Sequence, residues 1–182
     1  LPGVGGEVLR RAGGTPVNLP ASEIFTALQT GGIDATEWVG PFNDVALGLN
    51  QAARYYYYPG WQEPGPTLEC MVNLDAWNSL PSHLQSVVRI ACQAVNMDIV
   101  SELIARNASS LAQLIEDSDL EILPFPDSVL IELRAITLEV IEELASEDEV
   151  VSRVWDSYRS LMETSRPWQA ISEQAILAAR TL

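Results

Sequence analysis

The sequence predicts an α/β fold, on three observations. The first forty residues alternate short helical and extended segments, punctuated by Gly13-Gly14, Pro16, Pro20 and Gly31-Gly32. The tyrosine run from Tyr55 to Tyr58 and the stretch 120–123 suit a pleated surface. From Ser82 onward apolar residues recur at helical spacing.

Taken in order, residues 6–12 read as a short helix stopped by Gly13-Gly14. Residues 15–19 are extended, because Pro16 forbids helix at the residue before it. A helix over 23–30 follows Pro20-Ala-Ser22, with Ile24, Ala27 and Leu28 on one face, and Gly31-Gly32 ends it. Residues 33–39 are expected to be a strand, 42–49 a helix after Pro41, 53–58 a second strand and 67–74 a third. In the second strand Tyr55 and Tyr57 point one way, Tyr56 and Tyr58 the other. Ser79 and Pro81 mark the start of a long helix over 82–116, with Leu84, Val87, Val88, Ala91, Val95, Ile99, Leu103 and Ile104 as its apolar stripe. At ~1.5 Å per residue it would be about 50 Å long, too long for one small lobe, so it is expected to brace two. After a short strand over 120–123, Asp127 caps a helix that turns Leu130, Leu133, Ile136, Val140 and Leu144 inward. Another starts at Asp148 and carries Val151, Val154, Trp155, Tyr158 and Leu161 on a face read as core, with a helix–helix dimer contact as the sharper alternative. Pro167 is expected to break the chain before a last helix over 168–181.

A length of 182 residues allows one substantial core or two small lobes. The formal net charge of −15 argues against nucleic acid and against anionic membrane surfaces as partners. All ten basic residues are arginine, a compositional bias without further meaning. No apolar run approaches the roughly 20 residues of a membrane span. The chain opens Leu1-Pro2-Gly3 with no leader pattern, as expected if a leader has been removed or if this is part of a longer protein. Cys70 and Cys92 allow one disulfide in an oxidising compartment, but the expectation is two buried thiols. The sequon at Asn107 lies in a helical stretch and reads as chance.

The segment from Asp34 to Pro66 carries the chemistry. It gathers Trp38, Phe42, Trp61, four consecutive tyrosines, Glu37 and Glu63 among glycines and prolines. Aromatic walls with a few placed polar groups are what a small-molecule pocket is made of. Glu37 and Glu63 have three readings: solvated loop acids, oxygen ligands of a hard cation such as Na⁺ or Ca²⁺ alongside backbone carbonyls, or the carboxylate pair of a metal-dependent hydrolase. His83, the lone histidine, reads as exposed, and no Gly-x-Ser-x-Gly elbow or phosphate-binding loop occurs. The residues alone leave receptor and hydrolase open.

Three runs also resemble a family: Leu1-Pro-Gly-Val-Gly-Gly through Gly13-Gly-Thr-Pro-Val17, Gly31-Gly-Ile-Asp-Ala-Thr-Glu-Trp38-Val-Gly-Pro41, and Tyr55-Tyr-Tyr-Tyr-Pro-Gly-Trp-Gln-Glu63-Pro-Gly-Pro-Thr-Leu-Glu69. They are similar to the DctP-type extracytoplasmic solute receptors of TRAP transporters, in the branch that binds 2-oxo and 2-hydroxy monocarboxylates. The resemblance implies a two-lobe α/β fold of the type II periplasmic-binding-protein kind, with a long helix crossing both lobes. It implies a periplasmic, non-enzymatic protein whose partners are a small organic carboxylate and the membrane subunits of a transporter. A bridging cation, Na⁺ or Ca²⁺, would be held by the Glu37 and Glu63 side chains and the Trp38 backbone carbonyl. Trp38, Phe42 and Tyr57 would line the substrate, and the C-terminal helices would form a homodimer. The family arginine that pairs with the substrate carboxylate falls upstream of Leu1, so the chain is expected to be the C-terminal half of such a receptor. In that half, 1–36 would belong to the second lobe, 37–80 to the first lobe and hinge strands, and 81–182 to the spanning and C-terminal helices.

Overall fold

The computed structural model describes residues 3–63, 65, 68–117 and 119–180. They form two compact units, one from the segment up to Pro16 with the segment from Asp127 onward, the other from Val17 to Pro126.

The first unit is helical. Helix α1 (Gly3–Arg11) packs on α7 (Asp127–Glu147), and the unit continues through α8 (Glu149–Ile171) and α9 (Glu173–Ala179). Its core is Val8 of α1 with Leu133 and Val140 of α7, all buried. Two of the five inward residues expected for α7 are thus core, whereas Leu144 is exposed. Arg11 ties the surface of this packing, its Nε to Glu7 at 2.8 Å and its Nη1 to Glu143 at 3.0 Å. Asp148 caps α8 by accepting from the Val150 and Val151 N–H groups. No residue of α8 is buried, which overturns the core reading of Val154, Tyr158 and Leu161. Nor does Pro167 break the helix: α8 runs through it to Ile171. Pro167 lies on an exposed face, so water can take the carbonyl it leaves unpaired. The break falls instead at Ser172, which leaves the helical region at φ −108°, ψ −103°.

The second unit holds α2 (Ala21–Gln29), α3 (Pro41–Ala46), α4 (Leu49–Ala52), β1 (Tyr55–Tyr58), α5 (Leu74–Ser79), α6 (Ser82–Glu116) and β2 (Glu121–Pro124). β1 and β2 pair in parallel, Tyr55 opposite Glu121 and Tyr58 opposite Pro124. The pairing is extended at both ends, by Glu121 N–H to Arg54 O at 2.8 Å and Phe125 N–H to Tyr58 O at 2.7 Å. A parallel pair needs a long crossover, and α5 with the 35-residue α6 provides it. The Tyr58–Pro59 peptide is cis. Ile24, Leu49 and Leu114 form a small apolar core. The expected stripe of α6 keeps its helical spacing but not its burial, since Leu84, Val87, Val95 and Ile104 are all exposed.

Two expected strands do not form among the described residues. Residues 33–40 are bend and coil, because the N–H groups of Val39 and Gly40 turn to the Asp44 carboxylate instead of a neighbouring strand. Residues 68–73 are irregular, and Asn73 instead caps α5 by accepting from Ala76 N–H at 3.0 Å; Thr67 lies outside the described residues. The single helix expected over 42–49 is divided between α3 and α4 by Gly48, whose φ of +74° is left-handed and suits glycine.

Candidate functional site

The site is built on the turn 33–40, the short helix α3, strand β1 and the loop after it. Glu37 is half-buried and Trp38 exposed in the turn; Phe42 is half-buried in α3; Tyr57 is exposed on β1; Glu63 is exposed in the loop. Gln62 brings the two acidic segments together, its Nε2 donating to Glu37 Oε2 at 3.2 Å. The residue before Glu63 therefore touches Glu37 directly.

Asp44 fixes the turn. Its Oδ1 accepts from Val39 N–H at 3.3 Å and Gly40 N–H at 3.2 Å, while Oδ2 accepts from Tyr56 O–H at 2.6 Å. Asp44 is buried, so these three donors replace the water its charge would otherwise keep. Burial, and then the bond to Asp44, pushes the Tyr56 hydroxyl above its ordinary pKa. The phenol thus stays protonated and donating. Asp44 reaches back to Gly40, the residue that precedes α3, much as a capping box does.

Gly40 has no side chain to cap α3, and Asn107 of α6 supplies one, its Oδ1 accepting from Phe42 N–H at 3.0 Å. A Cβ at Gly40 would lie 3.3 Å from that same oxygen, which explains the glycine. Asn107 is therefore a structural acceptor and half-buried. The Phe42 ring lies under the Arg106 guanidinium, 4.8 Å from it, and with Ala105, Ser109 and Ser110 lines a groove of about 320 Å³. Tyr57 stacks on Phe125 at 5.0 Å and 28°, so β1 and the residue after β2 present one aromatic surface.

The sequence reading named Glu37, Trp38, Phe42, Tyr57 and Glu63 but missed Asp44, Tyr56 and Asn107. Asp44 looks like any acid in a first helical turn, and Asn107 stands far from Phe42 in the chain. Only the parity of Tyr56 against Tyr55 and Tyr57 could have marked it. Among the described residues no three His, Cys, Asp or Glu side chains cluster as a metal centre. Glu37 Oε1, the Glu63 carboxylate and the carbonyl of Trp38 are oxygen donors of the type a hard cation takes. Gln62 occupies only the other oxygen of Glu37. His83 is exposed in the first turn of α6, as expected.

Known proteins show the same arrangement of chain. The fold is that of TRAP periplasmic solute binding proteins. The crystal structure of one from Colwellia psychrerythraea with bound calcium and pyruvate is similar with a TM-score of 0.93 and 37% identity, over 98% of this chain and 55% of that one. A second, from Pseudoalteromonas atlantica with bound sodium and pyruvate, gives 0.91 and 36%, over 98% of this chain and 54% of that one. A monocarboxylate 2-oxoacid-binding periplasmic protein of Nostoc is 38% identical over 173 residues, 95% of this chain and 47% of its own length. Residues 2–148 match the bacterial extracellular solute-binding proteins of family 7, the DctP family. The chain belongs to that family, and it spans about half the length of these relatives.

Proposed function

We propose that this chain is the C-terminal portion of the extracytoplasmic binding subunit of a TRAP-type transporter. It binds a small 2-oxo or 2-hydroxy monocarboxylate, such as pyruvate or lactate, through a bridging Na⁺ or Ca²⁺ in the periplasm, and delivers it to the membrane subunits. The carrying observation is the Gln62–Glu37 hydrogen bond, which brings the loop of Glu63 to Glu37 beside Trp38. Glu37 and Glu63 would give side-chain oxygens and Trp38 its carbonyl. Phe42, Trp38 and Tyr57 would supply aromatic wall to the substrate. A cation between the protein acids and the substrate acid resolves the difficulty of an acidic chain, net −15, receiving an anion. What the chain's own residues do is hold geometry, through Asp44, Tyr56 and Asn107. No bond is made or broken, so the protein is not an enzyme.

The division into second-lobe, first-lobe and spanning segments belongs to this reading. So does a remaining half that covers the exposed apolar residues of α6, among them Val87, Ile90, Val95, Val100 and Ile104. The exposed Val150, Val154, Tyr158, Leu161 and Ile171 of α8 fit the homodimer through C-terminal helices.

The test is thermal unfolding of the full-length receptor with pyruvate or lactate, with and without Ca²⁺ or Na⁺. The melting temperature rises with both present, and Glu37→Ala or Glu63→Ala removes the rise. No shift with any short 2-oxo or 2-hydroxy acid refutes the receptor. Turnover of an ester or glycoside that Glu63→Gln abolishes establishes the hydrolase instead.

A further inference from the structure

Neither cysteine takes part in the carboxylate site, and both are exposed, contrary to the buried thiols expected from the sequence. They are neighbours. The two line one groove of about 540 Å³ together with Val72, Leu74, Trp77 and Arg89, and the nearness of Cys70 pushes the Cys92 thiol pKa above its ordinary value. We propose that Cys70 and Cys92 form an intramolecular disulfide that clasps the irregular segment 68–73 onto α6.

The surroundings hold the two cysteines in this relation. Arg89 and Cys92 stand three residues apart on α6, hence on one face. The Arg89 guanidinium lies over the Trp77 ring of α5 at 4.8 Å. Gln85 Nε2 donates to Trp77 O at 2.9 Å and Leu80 O at 3.2 Å. Helix α5 is thereby fastened to the start of α6, and the segment leading into it arrives with Cys70 against Cys92. The disulfide closes a loop that contains α5 and the first turns of α6. Residues 68–73 have neither helix nor strand to order them, so a covalent tie there restricts the chain where local structure restricts it least.

The chemistry balances against an external disulfide, that of a thiol–disulfide oxidant in an oxidising compartment; this source rests on the periplasmic placement proposed above. One cysteine thiolate attacks the oxidant and forms a mixed disulfide, releasing one oxidant thiol. The other cysteine loses its proton and displaces the second oxidant sulfur. Two S–H bonds are lost and one S–S bond forms, while the oxidant gains two electrons and two protons.

The experiment uses the purified chain without carboxylate or cation, so its outcome is independent of the receptor reading. The chain is equilibrated with oxidised glutathione or with dithiothreitol. Thiol titration, intact mass, a non-reducing peptide map and thermal unfolding are then compared. The clasp gives no titratable thiol after oxidation, a mass about 2 Da below the reduced form and a peptide joining Cys70 to Cys92. It raises the melting temperature by roughly 5–10 °C, reversibly with dithiothreitol. Cys70→Ser and Cys92→Ser each lose that rise and carry glutathione on the remaining cysteine. Two titratable thiols after oxidation, glutathione on both wild-type cysteines, or only disulfide-linked dimers overturn the proposal; the peptide map decides this even if a variant does not fold.

Discussion

The unit built on α1 and α7 and the unit that carries Glu37 both have an aliphatic core and differ in the polar groups they bury beside it. In the first, the buried groups are aliphatic: Val8, Leu133 and Val140. Its polar contacts, Arg11 with Glu7 and Glu143, lie at the surface. In the second, a buried carboxylate organises the site, and Asp44 holds two backbone N–H groups and a tyrosine hydroxyl. Apolar packing is non-directional and tolerates adjustment, whereas a buried charge demands every partner in place. The turn that carries Glu37 and Trp38 has the second kind of support.

The comparison is broken most readily at Asp44. Asp44→Ala leaves the Val39 and Gly40 N–H groups and the Tyr56 hydroxyl without their acceptor, at a cost of about 3 kcal/mol. Denaturant unfolding should show that loss, and ligand should no longer raise the melting temperature, because the turn bearing Glu37 and Trp38 is released. Val140→Ala removes two buried methyl groups from the other unit and costs about 2 kcal/mol. It should leave the ligand-induced shift intact, and a lost shift would show that the two kinds of support are not separable.

Tyr56→Phe is smaller, about 1 kcal/mol at neutral pH, since only one of three donors to Asp44 goes. It also has a signature in alkali. The folded pKa of Tyr56 is raised above its unfolded value of 10.0. Its contribution is therefore complete below about pH 10 and is lost as pH climbs through the folded value. Wild-type stability should fall in that range more steeply than that of Tyr56→Phe. Glu143→Gln is expected to have the least effect. Its carboxylate is exposed, and Arg11 holds its pKa, like that of Glu7, below the ordinary value. Such pairs stabilise above the unfolded carboxylate pKa of 4.5, and the contribution is lost as pH falls through the lowered folded values. The variant should differ from wild type only slightly, at low salt and neutral pH, and the difference should vanish in acid or at high ionic strength.

Helices were the most legible part of the sequence. The 35 residues of α6 follow from its apolar spacing and the Pro81 start, and β1 and β2 fall where aromatic and branched residues gather. The strands expected over 33–39 and 67–74 fail among the described residues because strand propensity is satisfied only by a neighbour to pair with. Val39 and Gly40 found Asp44 instead, and Asn73 turned to capping α5. Helical spacing also says which residues share a face, not what lies against that face. Hence α6 and α8 have the predicted periodicity while Val87, Val154 and Leu161 remain exposed.

Sequence by itself determined the long helices, the tyrosine strand, the family, and the acids and aromatics gathered between Asp34 and Pro66. Those properties are local, set by periodicity, turn residues and contiguous motifs. Tertiary structure alone decided that Gln62 meets Glu37, that Asn107 caps α3 across 65 positions of chain, that Tyr56 and Asp44 close on each other, and that Cys70 lies beside Cys92. A hydrogen bond between distant side chains leaves no periodic trace, because its geometry is set only when the backbone between the partners has folded.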